Sequence, residues 1–171
     1  AKKRESADLV QTLESQISTA HNVLQLDELK CRKRVLRRLG FTSSEDIVEK
    51  KGRVACEIST GDELLLTELI FTGTFNDMEP EHCAALLSCF VFGERSEHPV
   101  RLKEELAAPL RILQDTARRI AKVSVECRLP VVEQDYGESF RGASMDACLQ
   151  WCPGARFVDI WKMTDVVEGA L

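Results

Sequence analysis

The chain has 171 residues, 44% of them hydrophobic, and a formal net charge of −5, which is apolar enough to bury a core and excludes a disordered tail. Charge is uneven: residues 1–41 carry nine basic and five acidic groups, and residues 42–171 carry fourteen and twenty-three. A basic arm on an acidic body excludes a surface coated uniformly for nucleic acid and leaves room for a local phosphate-facing stripe.

Residues 4–39 contain no Gly or Pro, and Leu9, Leu13, Ile17, Ala20 and Leu24 recur at three- and four-residue steps, which predicts one helix of about 50 Å. So narrow a seam needs a partner: a helix from elsewhere, or the body of the domain with this helix laid across it. The same helix ends in "DELKCRKRVLRRLGF". At 100° per residue Lys30, Lys33, Arg34, Arg37 and Arg38 share one face, opposite Leu29, Cys31, Val35, Leu36 and Leu39. Glu28 gains an i,i+4 partner in Arg32. Gly40 is placed to close the helix in the left-handed conformation, with Phe41 folded back on Leu36.

Next, "TSSEDIVEKKG" offers Thr42 or Ser43 as the cap of a short helix, and "GRVACEIS" alternates Val54, Cys56 and Ile58 against Arg53, Ala55 and Glu57, which predicts the one short strand. "STGDELLLTELIFTGTF" predicts a helix from Asp62 to Thr72, with Thr60 and Glu63 as a capping box and Gly73 as its stop. "EPEHCAALLSCFVFG" places Pro80 in a first turn and Cys83, Leu86, Leu87 and Phe90 inward. A loop, "GERSEHPVR", separates the halves.

The longest body helix is predicted from Lys103 to Arg128, with Leu106, Leu110, Leu113, Ala117, Ile120, Ser124 and Cys127 as its packing stripe. Pro109 falls in its second turn, where a mild kink is expected rather than a break. Helices at Met145–Cys152 and Arg156–Met163 follow, separated by Pro153 and Gly154. Thr164 or Asp165 can cap a further one.

The seven cysteines include no CxxC pair and no Cys/His cluster at zinc spacing, so they read as core thiols of a reducing, intracellular compartment. Cys31, Cys89, Cys127 and Cys148 sit at apolar positions. No apolar run approaches the length of a membrane span, and "AKKRESADLV" has no signal-peptide core. With "TDVVEGAL" at the other end, both termini read as cut from a larger protein.

There is no GxxxxGK[ST] phosphate loop and no GxGxxG after a strand. His21, His82 and His98 are scattered, at no spacing that builds a metal site or a nucleophile–base pair, and read as surface or capping residues. Acidic pairs such as Asp62 and Glu63 open helices, where the dipole accounts for them. No active site, metal or cofactor is expected within these residues. "GARFVDIWKMTDVVEGAL" has the outline of a helix-turn-helix, but the acidic body disfavours DNA binding.

Taken together, "LDELKCRKRVLRRLGF", "KGRVACEIST.DELLLTE", "ALLSCFVF", "LRILQDTARRIAKVSVECRL" and "KMTDVVEG" resemble the C-terminal helical domain, DSHCT, of the superkiller-like DExH-box RNA helicases. The likeness is to their nuclear, exosome-associated branch, known from mRNA-transport-defective mutants. It runs from about Leu24 to the end, and residues 1–23 resemble the family in position, as the returning helix of the stalk that carries its arch. The resemblance implies an all-α bundle with at most one short strand: residues 1–39 a stalk-type helix, residues 40–171 the DSHCT body.

It also implies a parent that uses ATP and Mg²⁺ in upstream motor domains to move 3′ to 5′ along RNA. The parent would unwind RNA and feed it to the nuclear exosome and its adaptor proteins, in the nucleus and nucleolus and away from membranes. The family's RNA-touching ratchet helix would begin at Glu168, Gly169, Ala170 and Leu171. Pro153 departs from the usual family pattern and predicts a rigid turn. Lys30, Lys33, Arg34, Arg37 and Arg38 are the candidate contacts; on the sequence they line the RNA route, face an acidic partner or the motor, or form a solvated face. A free-standing helical adaptor that binds proteins through its long helix is the alternative.

Overall fold

With no glycine or proline to interrupt it, the N-terminal stretch forms one helix, α1 (Lys2–Arg38), about 55 Å long at 1.5 Å per residue. The structure, a computed structural model, describes residues 2–91 and 102–162. Every side chain described between Leu9 and Lys30 is exposed, including Leu9, Leu13 and Ile17. Nothing among the described residues covers that seam, so α1 does not lie across the body; the side chain of Leu24 is outside the described set. Burial begins with half-buried Cys31 and is complete at Val35 and Leu39. The helix closes as its sequence predicts: Gly40 takes φ +75, its N–H reaches Arg37 O, and Phe41 N donates to Leu36 O. Phe41 is then fully buried.

The expected helix after Thr42 and the expected strand at 53–58 are both corrected. Residues 42–49 form a turn held by a Thr42–Val48 bridge, with Asp46 at φ +65. Ser43 Oγ accepts from the N–H groups of Glu45 and Ile47 at 3.2 Å, so it serves the turn rather than a helix start. The strand is instead the end of a helix, α2 (Lys50–Cys56), which buries Gly52 and Ala55. Three alternating pairs are too few to separate period 2 from period 3.6, and packing decides. A β-carbon on Gly52 would stand 2.3 Å from Phe41 O, so only glycine lets α2 lie against that backbone.

Helix α3 (Glu63–Phe71) begins one residue later than predicted and is capped by Asp62, whose side chain accepts from Leu65 N at 2.8 Å; Thr60 is not the cap. Gly73 stops it at φ +75. Helix α4 (Pro80–Val91) carries Pro80 in its first turn and buries Ala85, Leu86 and Cys89, leaving Leu87 exposed rather than inward. The loop 93–101, with His98, lies outside the described residues. Helix α5 (Glu104–Glu126) runs through Pro109 without a break and buries Leu106, Leu113, Ala117, Ile120, Ala121 and Ser124. The predicted stripe is therefore the one that packs, with Leu110 half-buried.

A further short helix, α6 (Glu133–Glu138), was not signalled by periodicity; it folds back on α5 with Gly137 against the Arg118 stem. Then come α7 (Met145–Trp151) and α8 (Phe157–Trp161), both shorter than predicted. Pro153 is part of a tight reversal between them: Gly154 takes φ +94, and Ala155 N donates to Gln150 O. The helix predicted from Thr164, and Glu168–Leu171, lie outside the described residues.

One core joins these pieces, drawing Val35, Leu39 and Phe41 from the end of α1 and Leu65, Leu69, Leu86, Leu113, Ile120 and Met145 from the body. Within it Glu68 of α3, almost fully buried, is bridged by Lys51 of α2 and by Arg119 of α5 at 2.7 Å. Lys51 also donates to Leu39 O at 2.8 Å and stands 4.6 Å over the Phe41 ring. The end of α1 is thus tied to three elements at once. Among the described residues eight helices make the all-α bundle expected, with an isolated bridge and no strand.

Candidate nucleic-acid interface

The basic face occupies the last turns of α1, where the helix dipole favours positive charge and Val35 and Leu39 anchor the opposite side in the core. Lys30, Lys33, Arg34, Arg37 and Arg38 are all exposed. Four of the five are already paired. Lys30 meets Asp27 at 3.1 Å, Lys33 and Arg37 both reach Asp46 at 3.1 and 2.7 Å, and Arg38 meets Glu126 at 2.5 Å. Arg34 alone has no ionic partner among the described residues. Arg32, off the stripe, pairs with Glu28 at 2.7 Å as its spacing predicts.

Asp46 reaches the stripe because the 42–49 turn places it in the left-handed region. Hydrogen bonds from Arg37 and Lys33 hold its carboxyl below the ordinary value. Two further groups escaped the sequence reading. Glu126 and Arg128 lie at the end of α5, ninety residues along the chain, and packing of α5 on α1 brings them to Arg34, Arg37 and Arg38. The available signal was local: "ECRLP" ends a helix before a proline with no glycine to close it. Arg128 therefore takes φ +68, at a cost of about 1–2 kcal/mol for a residue with a β-carbon. Leu129 N donates to Ser124 O and Arg128 N to Val125 O, the same closure that glycine provides elsewhere in the chain.

Other titratable groups are spoken for by packing. Burial pushes the Cys89 thiol up to about 12, and all seven cysteines are free. Tyr136, raised by burial and by Asp62, donates to that carboxylate. His82, half-buried rather than at the surface, faces Glu105 of α5 at 3.4 Å; the side chain of His21 lies outside the described set. Among the described residues no group of His, Cys, Asp or Glu side chains is arranged to hold a metal ion, and no helix is long and apolar enough to cross a membrane.

Residues 45–171 match the family described as the DSHCT (NUC185) domain. The chain belongs to that family. The DSHCT chain is 60% identical over 163 residues to the ATP-dependent RNA helicase mtr4 of Schizosaccharomyces pombe, an alignment covering 95% of the chain and 15% of that protein. It is 54% identical over 170 residues to the human exosome RNA helicase MTR4, covering 99% and 16%, and 45% identical over 163 residues to the Arabidopsis thaliana DExH-box ATP-dependent RNA helicase DExH10, covering 95% and 16%. The chain thus spans about a sixth of the length of these relatives, and the alignments carry the likeness into α1. These relatives are named as RNA helicases, and the matched segment is a small part of each.

Proposed function

We propose that these residues form the accessory C-terminal domain of an ATP-dependent 3′ to 5′ RNA helicase that unwinds RNA and feeds it to the nuclear exosome for processing and decay. The observation that carries this is the identity of 60% to an ATP-dependent RNA helicase and of 54% to an exosome RNA helicase over almost the whole chain. In this reading residues 40–171 are the body that closes the RNA channel and braces the motor, and residues 1–39 are the returning arm of a stalk. ATP and Mg²⁺ belong to motor domains upstream. Work in the nucleus and nucleolus, alongside the exosome and its adaptor proteins, follows from the same likeness.

The basic face at the root of the arm is the part that meets an anion, supported by its exposure and by the anchoring of α1 through Lys51. The exposed Leu9, Leu13 and Ile17 seam favours a second reading, a free-standing adaptor that binds a protein helix. Deleting residues 40–171 from the parent separates the two. Loss of 3′-tailed duplex unwinding, with an ATPase motor present upstream, is the expected result. A parent without a motor would leave the adaptor.

A further inference from the structure

Where α1 ends against the end of α5, four arginines line one open groove of about 520 Å³: Arg34, Arg37 and Arg38 from α1, and Arg128 from the closure of α5. Glu126 and Cys127 complete the lining. Two of these arginines are engaged, Arg37 by Asp46 and Arg38 by Glu126. Arg34 and Arg128 are exposed and, among the described residues, carry no ion pair or side-chain hydrogen bond.

The backbone adds an independent observation. Helices α1, α3 and α7 close on Gly40, Gly73 and Gly154, and α5 closes on an arginine in the same left-handed region. A glycine would meet the folding requirement at that position with less strain. Strain held at one residue that lines a charged groove points to a use for its side chain.

We propose that this groove binds the phosphodiester backbone of single-stranded RNA. Arg34 and Arg128 make the first contacts, and an entering phosphate displaces the Asp46 and Glu126 carboxylates from Arg37 and Arg38. The planar guanidinium fork suits phosphate oxygens, and Arg37 and Arg38 each already hold a carboxylate oxygen, of Asp46 and Glu126. Among the described residues the lining contains no aromatic or aliphatic anchor, which disfavours a protein partner and base stacking alike, so the site is blind to sequence. It is also far too short to measure a duplex, whose recognition spans successive grooves. This rests on the reading of the chain as part of an RNA helicase.

The test uses the 171-residue chain with two labelled 20-nucleotide RNAs of unrelated sequence, read by anisotropy across a salt series. Arg128→Gly is expected to weaken both by the same factor, roughly three- to tenfold, and to flatten the salt slope by about 0.7. Its melting temperature should hold or rise, because glycine suits the backbone there, so lost binding cannot be lost folding. Arg34→Ala should match it, and Glu126→Gln should tighten binding and steepen the slope. No RNA binding by the unaltered 171-residue chain, unchanged affinity in folded Arg128→Gly, unequal effects on the two RNAs, or equal competition by a ten-residue glutamate peptide would each overturn the proposal. If the chain binds RNA and both arginine variants bind normally, the groove fails and the helicase reading stands. If the deletion leaves unwinding intact while Arg128→Gly binds poorly, the reverse holds.

Discussion

Asp46 shows how one residue sets the charge of a whole face. Two cations reach its carboxyl at 3.1 and 2.7 Å, and both hydrogen bonds lower its pKa. A depressed carboxyl contributes stability that is present above the ordinary carboxylate value, about 3.9, and is lost as pH falls through the lower folded value. A carbon-detected NMR titration should place the Asp46 midpoint below the ordinary one, and Arg37→Ala should return it toward that value. An ordinary midpoint in the unaltered chain would mean that the pairs do not persist in solution. Glu68 is the opposite case, a carboxylate almost fully buried and met by Lys51 and Arg119. Glu68→Gln keeps the shape and loses the charge, and should cost about 2–3 kcal/mol, or a fall in melting temperature of roughly 5–10 °C. A loss below about 0.5 kcal/mol, the level of an ordinary surface change, would show that the bridge holds nothing.

Among the elements, α1 has two unlike parts. Its end is fixed by Val35, Leu39 and the Lys51 contacts, and its first thirty residues bury nothing described. A single amphipathic helix in water is marginal without a partner. The seam of Leu9, Leu13 and Ile17, each about half exposed or more, should therefore drive self-association of the isolated chain at micromolar concentration. Sedimentation velocity should report a species heavier than the 19.2 kDa monomer, and Leu13→Glu with Ile17→Glu should return it to monomer. A stable monomer in the unaltered chain would refute the seam as a packing surface. Long elements of this kind were legible in the sequence, because α1 and α5 repeat their apolar pattern over many turns. Short ones are not: alternation at 53–58 predicts a strand where α2 ends, and no pattern marks α6, since seven and six residues hold fewer than two full turns.

For the whole molecule, the absence of a phosphate loop from the sequence and the membership of the DSHCT family point the same way. The isolated chain should show no ATP turnover above background in a coupled assay, with or without RNA. Turnover abolished by a point substitution within the 171 residues would contradict the accessory reading.

What the sequence determined by itself is what repeats or reads locally: the helical class, the long arm, the basic face from Lys30 to Arg38, the Gly40 closure, and the family likeness carried by contiguous blocks. These follow from side-chain periodicity and from the conformations that single residues prefer, neither of which needs a distant contact. Only the tertiary structure decided how that basic face is used. Asp46 neutralises part of it through a left-handed turn that no pattern announced, and Glu126 and Arg128 join it from ninety residues away because α5 packs on α1. Charge on a helix face is written in the sequence, whereas the field at a groove depends on which opposite charges the fold brings within a few ångströms.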